Sequence, residues 1–217
     1  MSKIFLKYLY LKTLLNQKIF RDGSFPYKNY NKLTEYVEKY NIQNALECGT
    51  AIGLTSAAIL LGNEKIKIDT IERHARNINR ARANIKRLDI LNKNKKEIIS
   101  ESFLNRVNFI EGLYFDVLET PEYKYKKYDL IFLDCYISRY NEVVFLSNYL
   151  KSGGIFIVSN IREDMIKSKL AKSFLTGIWS EPDLKMKKSH NLPYKIGEDN
   201  KFEILEIVDD TIFARKI

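Results

Sequence analysis

Cysteine is nearly absent from this chain. Only Cys48 and Cys135 occur in 217 residues, far apart and in no CxxC spacing. Neither a disulfide framework nor a thiolate zinc site is indicated, and reduced thiols in a cytoplasm fit best. Histidine is equally scarce and offers little chemistry: His74 sits in an arginine-rich stretch that reads as surface, and His190 in a late loop placed to cover a site. Long hydrophobic runs are missing too. The N-terminal "MSKIFLKYLYLKTLLNQKIF" is broken by Lys7 and Lys12, which excludes a secretory h-region and a membrane span of about 20 residues. No internal repeat is visible. Acidic residues are outnumbered, 27 against 36 Lys and Arg, for a formal net charge of +9. That balance favours a polyanionic partner or an anionic surface without proving either, since lysine-rich chains are often simply solvated.

What is present suffices for one good core. With 45% hydrophobic and 29% charged residues, the chain reads as a single domain over 41–217 preceded by a helical appendage over 1–40. In the appendage Leu6, Tyr10 and Leu14, with Leu11 and Leu15, fall near helical spacing, while Lys3, Lys7 and Lys18 are spread along it. Its apolar face over 4–15 suits packing on the domain or on a second copy in a homodimer; a basic arm for RNA or a membrane surface is the other reading. "RDGSFPYKNY" follows as a linker.

Beyond the linker, helical and extended patterns alternate. "YNKLTEYVEKY" has a helical period, "NALEC" is a short strand, and "GLTSAAILLG" is a helix opening at a glycine turn and closing at Gly62. "KIKIDTIE" alternates like a strand, and "RHARNINRARANIKRL" is a strongly basic helix whose charges face outward. "RVNFIEG" and "YDLIFLDC" are strands, "RYNEVVFLSNYL" is a helix ended by "KSGG", and "IFIVSN" is the next strand. Such alternation predicts a doubly wound, mostly parallel α/β sheet. "FEILEIV" and "TIFARKI", flanking Asp209 and Asp210, predict an antiparallel C-terminal hairpin at its edge. The polar segment Leu91 to Phe103 extends the basic helix or forms an exposed loop.

In such a sheet, ligands sit beyond the carboxyl ends of the strands near the point where strand order reverses. Glu47, Gly49 and Gly53 end the first strand, Glu72 the second, Asp134 the fourth, and Ser159 and Asn160 the fifth. A carboxylate such as Glu72 can accept hydrogen bonds from both vicinal hydroxyls of a ribose. A dinucleotide would require GxGxxG to cradle its pyrophosphate, whereas "LECGTAIGL" gives ExGxxxG, with Glu47 where an anion would be repelled. S-adenosylmethionine, with a sulfonium, an ammonium and a ribose, matches those charges.

The same residues carry a family resemblance. "LECGTAIGLTSAAIL", "DTIER", "YDLIFLDC" and "LKSGGIFIVSN" resemble, in order and spacing, the successive motifs of class I S-adenosylmethionine-dependent methyltransferases. More narrowly they are similar to the O-methyltransferases related to catechol O-methyltransferase, and most to the bacterial branch that includes the tRNA 5-hydroxyuridine methyltransferases. The resemblance covers about Ala45 to Asn160, and the terminal hairpin more loosely. It implies a seven-stranded Rossmann-like methyltransferase sheet and S-adenosylmethionine as cofactor. Glu47, Gly49, Thr50, Ala51 and Gly53 would then hold the methionine portion, and Glu72 the ribose. Ile71 and Arg73 would flank the adenine, although Ile71 also reads as core. Asp134 would face the methyl group and, with Asn160, bind Mg²⁺.

The chain departs from that pattern at three positions. Ser159 replaces the acid that precedes Asn160, Ile137 replaces the lysine base three residues after Asp134, and Leu113 replaces an acid after the third strand. A Mg²⁺-assisted catechol mechanism is therefore not carried over. Proximity to an activated sulfonium supplies much of the catalysis, and an acidic hydroxyl needs little help from a base. Asp134 is the candidate to take the proton, with Arg139 and Tyr140 as candidates to stabilise the oxyanion and Tyr136 to stack on a substrate ring. "LKMKKSHNLPYK", with Trp179 upstream and Tyr194 within, mixes cations and aromatics as a single-stranded RNA contact would; a substrate lid over 185–195 is the alternative. The resulting expectation is a cytoplasmic O-methyltransferase acting on tRNA at a wobble 5-hydroxyuridine. A small phenolic acceptor is the first alternative. A non-catalytic cofactor- or RNA-binding module is the second.

Overall fold

The computed structural model describes residues 27–93, 101–134, 139–159, 202–209 and 211–217, with the single position 7. Apart from position 7, the expected helix over 4–15 lies outside the described residues, as do the dimer contact drawn from it and the basic loop 185–195. Two compact units are present, the first ending at Lys124 and the second beginning at Tyr125.

In the first unit, helix α1 (Tyr27–Lys39) buries Tyr30, Leu33 and Val37, one face at helical spacing. It stops where Asn41 takes a positive φ of 47°, a conformation asparagine tolerates well after a helix end. The buried face packs on helix α2 (Leu54–Gly62). Contact is close enough that a Cβ on Gly62 would lie 2.6 Å from Val37 Cβ, and the Thr34 hydroxyl donates to the Ala58 carbonyl at 3.0 Å. Strands β1 (Asn44–Cys48), β2 (Lys67–Glu72) and β3 (Val107–Glu111) pair in parallel, with Glu47 beside Thr70 and Thr70 beside Phe109. Cys48 is a buried free thiol at the end of β1.

Helix α3 (Ala75–Lys93) turns Ile78, Ala81, Ile85 and Leu88 inward and leaves Arg76, Arg82, Lys86 and Arg87 exposed. Asp89 on its inner side accepts from the Ser102 hydroxyl at 2.7 Å and the Phe103 N–H at 2.6 Å, fixing a 3₁₀ turn over Phe103–Arg106. Arg106 is buried there, stacked 4.5 Å from the Phe103 ring centroid and donating to the Asn63 carbonyl at 2.8 Å. Burial pushes its pKa down, while Glu101, Asp89 and Glu64 oppose that shift. A five-residue helix, α4 (Tyr114–Leu118), follows β3. It is absent from the sequence reading because five residues are too few to display a period.

In the second unit, β4 (Tyr128–Leu133) and β5 (Leu150–Val158) pair in parallel, joined through α5 (Arg139–Ser147). Leu130, Ile131, Phe132 and Leu133 are all fully buried, as are Ile155, Phe156 and Ile157. Such continuous apolar strands are characteristic of parallel sheets covered on both faces. Strands β6 (Phe202–Val208) and β7 (Thr211–Lys216) form the expected antiparallel hairpin, with β7 antiparallel to β5. Phe202 meets Phe156 edge-on, with centroids 5.8 Å apart.

The "KSGG" segment is where the sequence reading placed a boundary wrongly. The helix ends at Ser147 and β5 begins at Leu150, so Lys151 to Gly154 lie inside the strand. Tyr128 pairs with Leu150 but Leu130 already pairs with Ile155. The surplus residues bulge, which the positive φ of 74° at Gly153 permits. Across the chain the strand order is β3-β2-β1-β4-β5-β7-β6. Among the described residues no helix is long and apolar enough to cross a membrane.

Candidate functional site

The first unit builds its site from the turn between β1 and α2. Gly49 and Gly53 take positive φ values of 101° and 80°, and between them Ala51 takes 46°. Three of the five residues in this reversal therefore adopt conformations that L side chains rarely take. Each is pinned from outside the turn or within it. The Gly49 N–H donates to the Ile71 carbonyl at 2.9 Å, the Gly53 N–H to the Thr50 carbonyl at 2.8 Å, and Asn84 Nδ2 of α3 to the Ile52 carbonyl at 2.9 Å. Ala51 is exposed at the tip.

Two carboxylates serve this turn in different ways. Glu72, at the end of β2 and 8% exposed, accepts the Ala51 N–H at Oε2 and the His74 N–H at Oε1, both at 3.0 Å. It ties the turn to the end of its own strand, and each oxygen retains a lone pair for a further donor. Glu47 is 0% exposed. Its Oε2 accepts the Ser56 hydroxyl and, at 2.6 Å, the Thr70 hydroxyl. Thr70 has one proton and gives it to Glu47, so in the 2.5 Å contact between Thr50 and Thr70 the donor is Thr50. A hydrogen-bonded column thus runs from the turn through β2 to Glu47.

That column changes how Glu47 is read. The sequence suggested a carboxylate presented to a cationic ligand; in the structure its oxygen holds protein hydroxyls in the interior. Thr70 and Ser56 were not among the candidates. Thr70 lies two residues before Glu72, and the parallel register sets it beside Glu47, 23 positions away in sequence. Thr70→Val keeps the shape of the side chain but removes the donor to Glu47 and the acceptor for Thr50. It is expected to lower the unfolding free energy by about 2 kcal/mol, measured by urea denaturation. A cost below about 0.5 kcal/mol, the ordinary surface value, would show that the column carries no stability.

Ile71 is 2% exposed, as a core residue would be, while Arg73 is exposed and donates from Nε to His74 Nε2 at 2.9 Å. Leu113, 48% exposed, stands at the start of α4 without capping it through its side chain.

In the second unit, Asp134 follows β4 directly and is half-buried. Ser159 follows β5, is 0% exposed, and donates its N–H to the Leu133 carbonyl at 3.0 Å. Arg139 and Tyr140 are the first two residues of α5. Their side chains, with Tyr136, Ile137 and Asn160, lie outside the described residues.

The strand order and the antiparallel hairpin define the class of structure: the Rossmann-like α/β fold of S-adenosylmethionine-dependent methyltransferases. No protein-family model and no curated protein sequence matches the chain. Solved structures do match. An O-methyltransferase from Bacillus cereus, solved with S-adenosylhomocysteine, aligns over 98% of this chain and 90% of its own at 18% identity, with a TM-score of 0.63. The O-methyltransferase TomG from Streptomyces achromogenes, involved in tomaymycin synthesis and solved with S-adenosylmethionine, aligns over 93% and 85% at 13% identity, with a TM-score of 0.61. A methyltransferase from Geobacter sulfurreducens aligns over 97% and 89% at 10% identity, with a TM-score of 0.62.

Proposed function

We propose that the protein is an S-adenosylmethionine-dependent methyltransferase that methylates an acidic hydroxyl. The observation that carries this reading is the turn from Gly49 to Gly53 held by the Glu72 carboxylate at the ends of β1 and β2. The residues present fit the cofactor. Glu72 has capacity left to accept the two ribose hydroxyls. No side chain caps the first turn of α2, so its N–H groups suit the amino-acid carboxylate. Glu47 acts at one remove, through Thr70 and Thr50.

When bound, S-adenosylmethionine supplies a methyl group on a sulfonium; transfer forms one C–O bond and breaks one C–S bond, whose electron pair stays on sulfur in neutral S-adenosylhomocysteine. The chain must orient the acceptor oxygen and receive its proton. Asp134 takes that proton and passes it to water. Rigidity comes from β4, whose last four residues are fully buried.

Small hydroxylated aromatics are the acceptors favoured here; in support, the structural relative TomG is an O-methyltransferase involved in tomaymycin synthesis. The order of acceptors read from the sequence, with tRNA first, is thereby reversed. RNA, including a wobble 5-hydroxyuridine, stays as a second reading for one reason: α3 and the residue leading to it expose Arg73, Arg76, Arg82, Lys86 and Arg87.

Titration calorimetry with S-adenosylhomocysteine tests the cofactor, and transfer of labelled methyl to a phenol panel and to unmodified tRNA tests the acceptor. Glu72→Gln keeps one acceptor oxygen but turns an N–H group toward backbone donors. Cofactor affinity is expected to fall at least about tenfold. Wild-type protein that binds no cofactor would end this reading.

A further inference from the structure

Among the described residues of the second unit, Ser159 carries a buried hydroxyl that the fold leaves unused. Ser159 is 0% exposed and its Oγ has no hydrogen-bond partner. A buried hydroxyl in that state forfeits its bonds to water and receives nothing in exchange, so it calls for an explanation. Its position supplies one. Leu133 is the last residue of β4 and pairs with Val158, the last of β5, and the Ser159 N–H donates to the Leu133 carbonyl at 3.0 Å. Asp134 and Ser159 are thus the first residues past the carboxyl edge of two neighbouring parallel strands. One is a half-buried carboxylate and the other a buried, unused hydroxyl.

Asp134 and Ser159, the two described side chains at this edge, do not by themselves suit Mg²⁺. That ion selects hard, mostly anionic oxygens, and the position where the family resemblance implies a second carboxylate holds a neutral hydroxyl. Among the described residues no group of three or more His, Cys, Asp and Glu side chains gathers to hold a metal.

The geometry points to Ser159 as an acceptor-binding residue: its hydroxyl donates to the acceptor oxygen beside Asp134, and the site works without a divalent cation. This rests on the methyltransferase reading and narrows its substrate. A single hydroxyl donor stabilises a developing oxyanion less than a metal ion does. Acceptors must therefore ionise readily by themselves, as phenols and hydroxypyrimidines do and aliphatic alcohols do not. A vicinal diol confers no advantage, because there is no cation for it to chelate. The acceptor's proton passes to Asp134 while Ser159 keeps its own.

The test uses the full chain with Ser159→Ala and Ser159→Asp. In Ser159→Ala, kcat/KM for a monohydric phenol should fall on the order of tenfold, while affinity for S-adenosylhomocysteine and the melting temperature hold or rise. Wild-type turnover should persist in EDTA, and catechol should be no better than a phenol of equal acidity. Mn²⁺ titration followed by electron paramagnetic resonance should show no site in the wild-type complex with S-adenosylhomocysteine and a new one in Ser159→Asp. Chelator-sensitive turnover, a tight Mn²⁺ site in wild type, or an unchanged kcat/KM in Ser159→Ala would overturn the inference while leaving the methyltransferase reading standing. Cofactor binding without turnover of any phenol, hydroxypyrimidine or RNA overturns both. Failure to bind cofactor defeats the methyltransferase reading itself, and this inference with it.

Discussion

Gly53→Ala is expected to lose about 3 kcal/mol of unfolding free energy and to bind S-adenosylhomocysteine too weakly to measure. Two penalties combine. Gly53 sits at φ 80° and ψ 21°, where an L side chain costs roughly 1–2 kcal/mol. A Cβ there would lie 2.9 Å from Ala81 Cβ and 3.1 Å from Ala81 Cα, an overlap worth about 1–3 kcal/mol. Ala81 cannot withdraw cheaply, because it belongs to the buried face of α3 with Ile78, Ile85 and Leu88. Whatever relaxation occurs must move the turn, along with the Ala51 N–H bonded to Glu72 and the Ile52 carbonyl bonded to Asn84. Gly153→Ala separates the two terms. Its φ is also positive, at 74°, but nothing lies within 4 Å of the new Cβ, so only the roughly 1–2 kcal/mol conformational cost remains. Adding Ala81→Gly to Gly53→Ala should recover part of the loss. Equal denaturation midpoints for Gly53→Ala and Gly153→Ala would show that close approach of α3 is not what fixes this turn.

The glycine turn was legible in sequence because its signal is local. Gly49 and Gly53 flank three small or apolar residues after an apolar run, and backbone sterics alone predict a tight reversal there. The alternation of strands and helices was legible for a similar reason, since each element shows its own period. The partners of Glu47 were hidden. Thr70 reaches it only through the parallel register of β1 and β2, and no pattern within either strand specifies that register. Ser56 reaches it from the first turn of α2, where it looks like any small helix residue. From sequence Glu47 reads as facing a ligand; the register adds that its Oε2 also works inward, on hydroxyls. The bulge in β5 misled in the opposite direction. "KSGG" has the composition of a helix stop and a loop, yet Leu150 pairs with Tyr128 ahead of it, so tertiary pairing overrides a local breaker.

Ser159 shows what a departure from a motif can mean once coordinates are added. As a letter in sequence it reads as a lost acid, one of the departures that set aside a Mg²⁺-assisted mechanism. As a buried hydroxyl with no partner, abreast of Asp134, it is a group whose burial is unexplained without a ligand. Under the proposed function, the departure at Ser159 alters how the acceptor is handled while the glycine turn still serves the cofactor.

Asp134→Asn is accordingly expected to reduce kcat by about 10²–10³-fold with a much smaller effect on cofactor affinity. The amide keeps the size and one acceptor oxygen of the carboxylate but cannot take a proton. The resemblance places a lysine three residues further on, and this chain has Ile137 there, so no second base at that position shares the load. The position is also well fixed, one residue beyond four fully buried residues of β4; Asp134→Glu, which retains the base but displaces it by a methylene, should therefore recover only part of the rate. The dependence on acceptor acidity is the sharper readout. If Asp134 removes the proton, Asp134→Asn should be hit hardest with weakly acidic phenols and least with those already ionised at the assay pH. A uniform loss across the panel would mean that Asp134 orients the acceptor without accepting its proton, and proton removal would then have to be assigned to solvent.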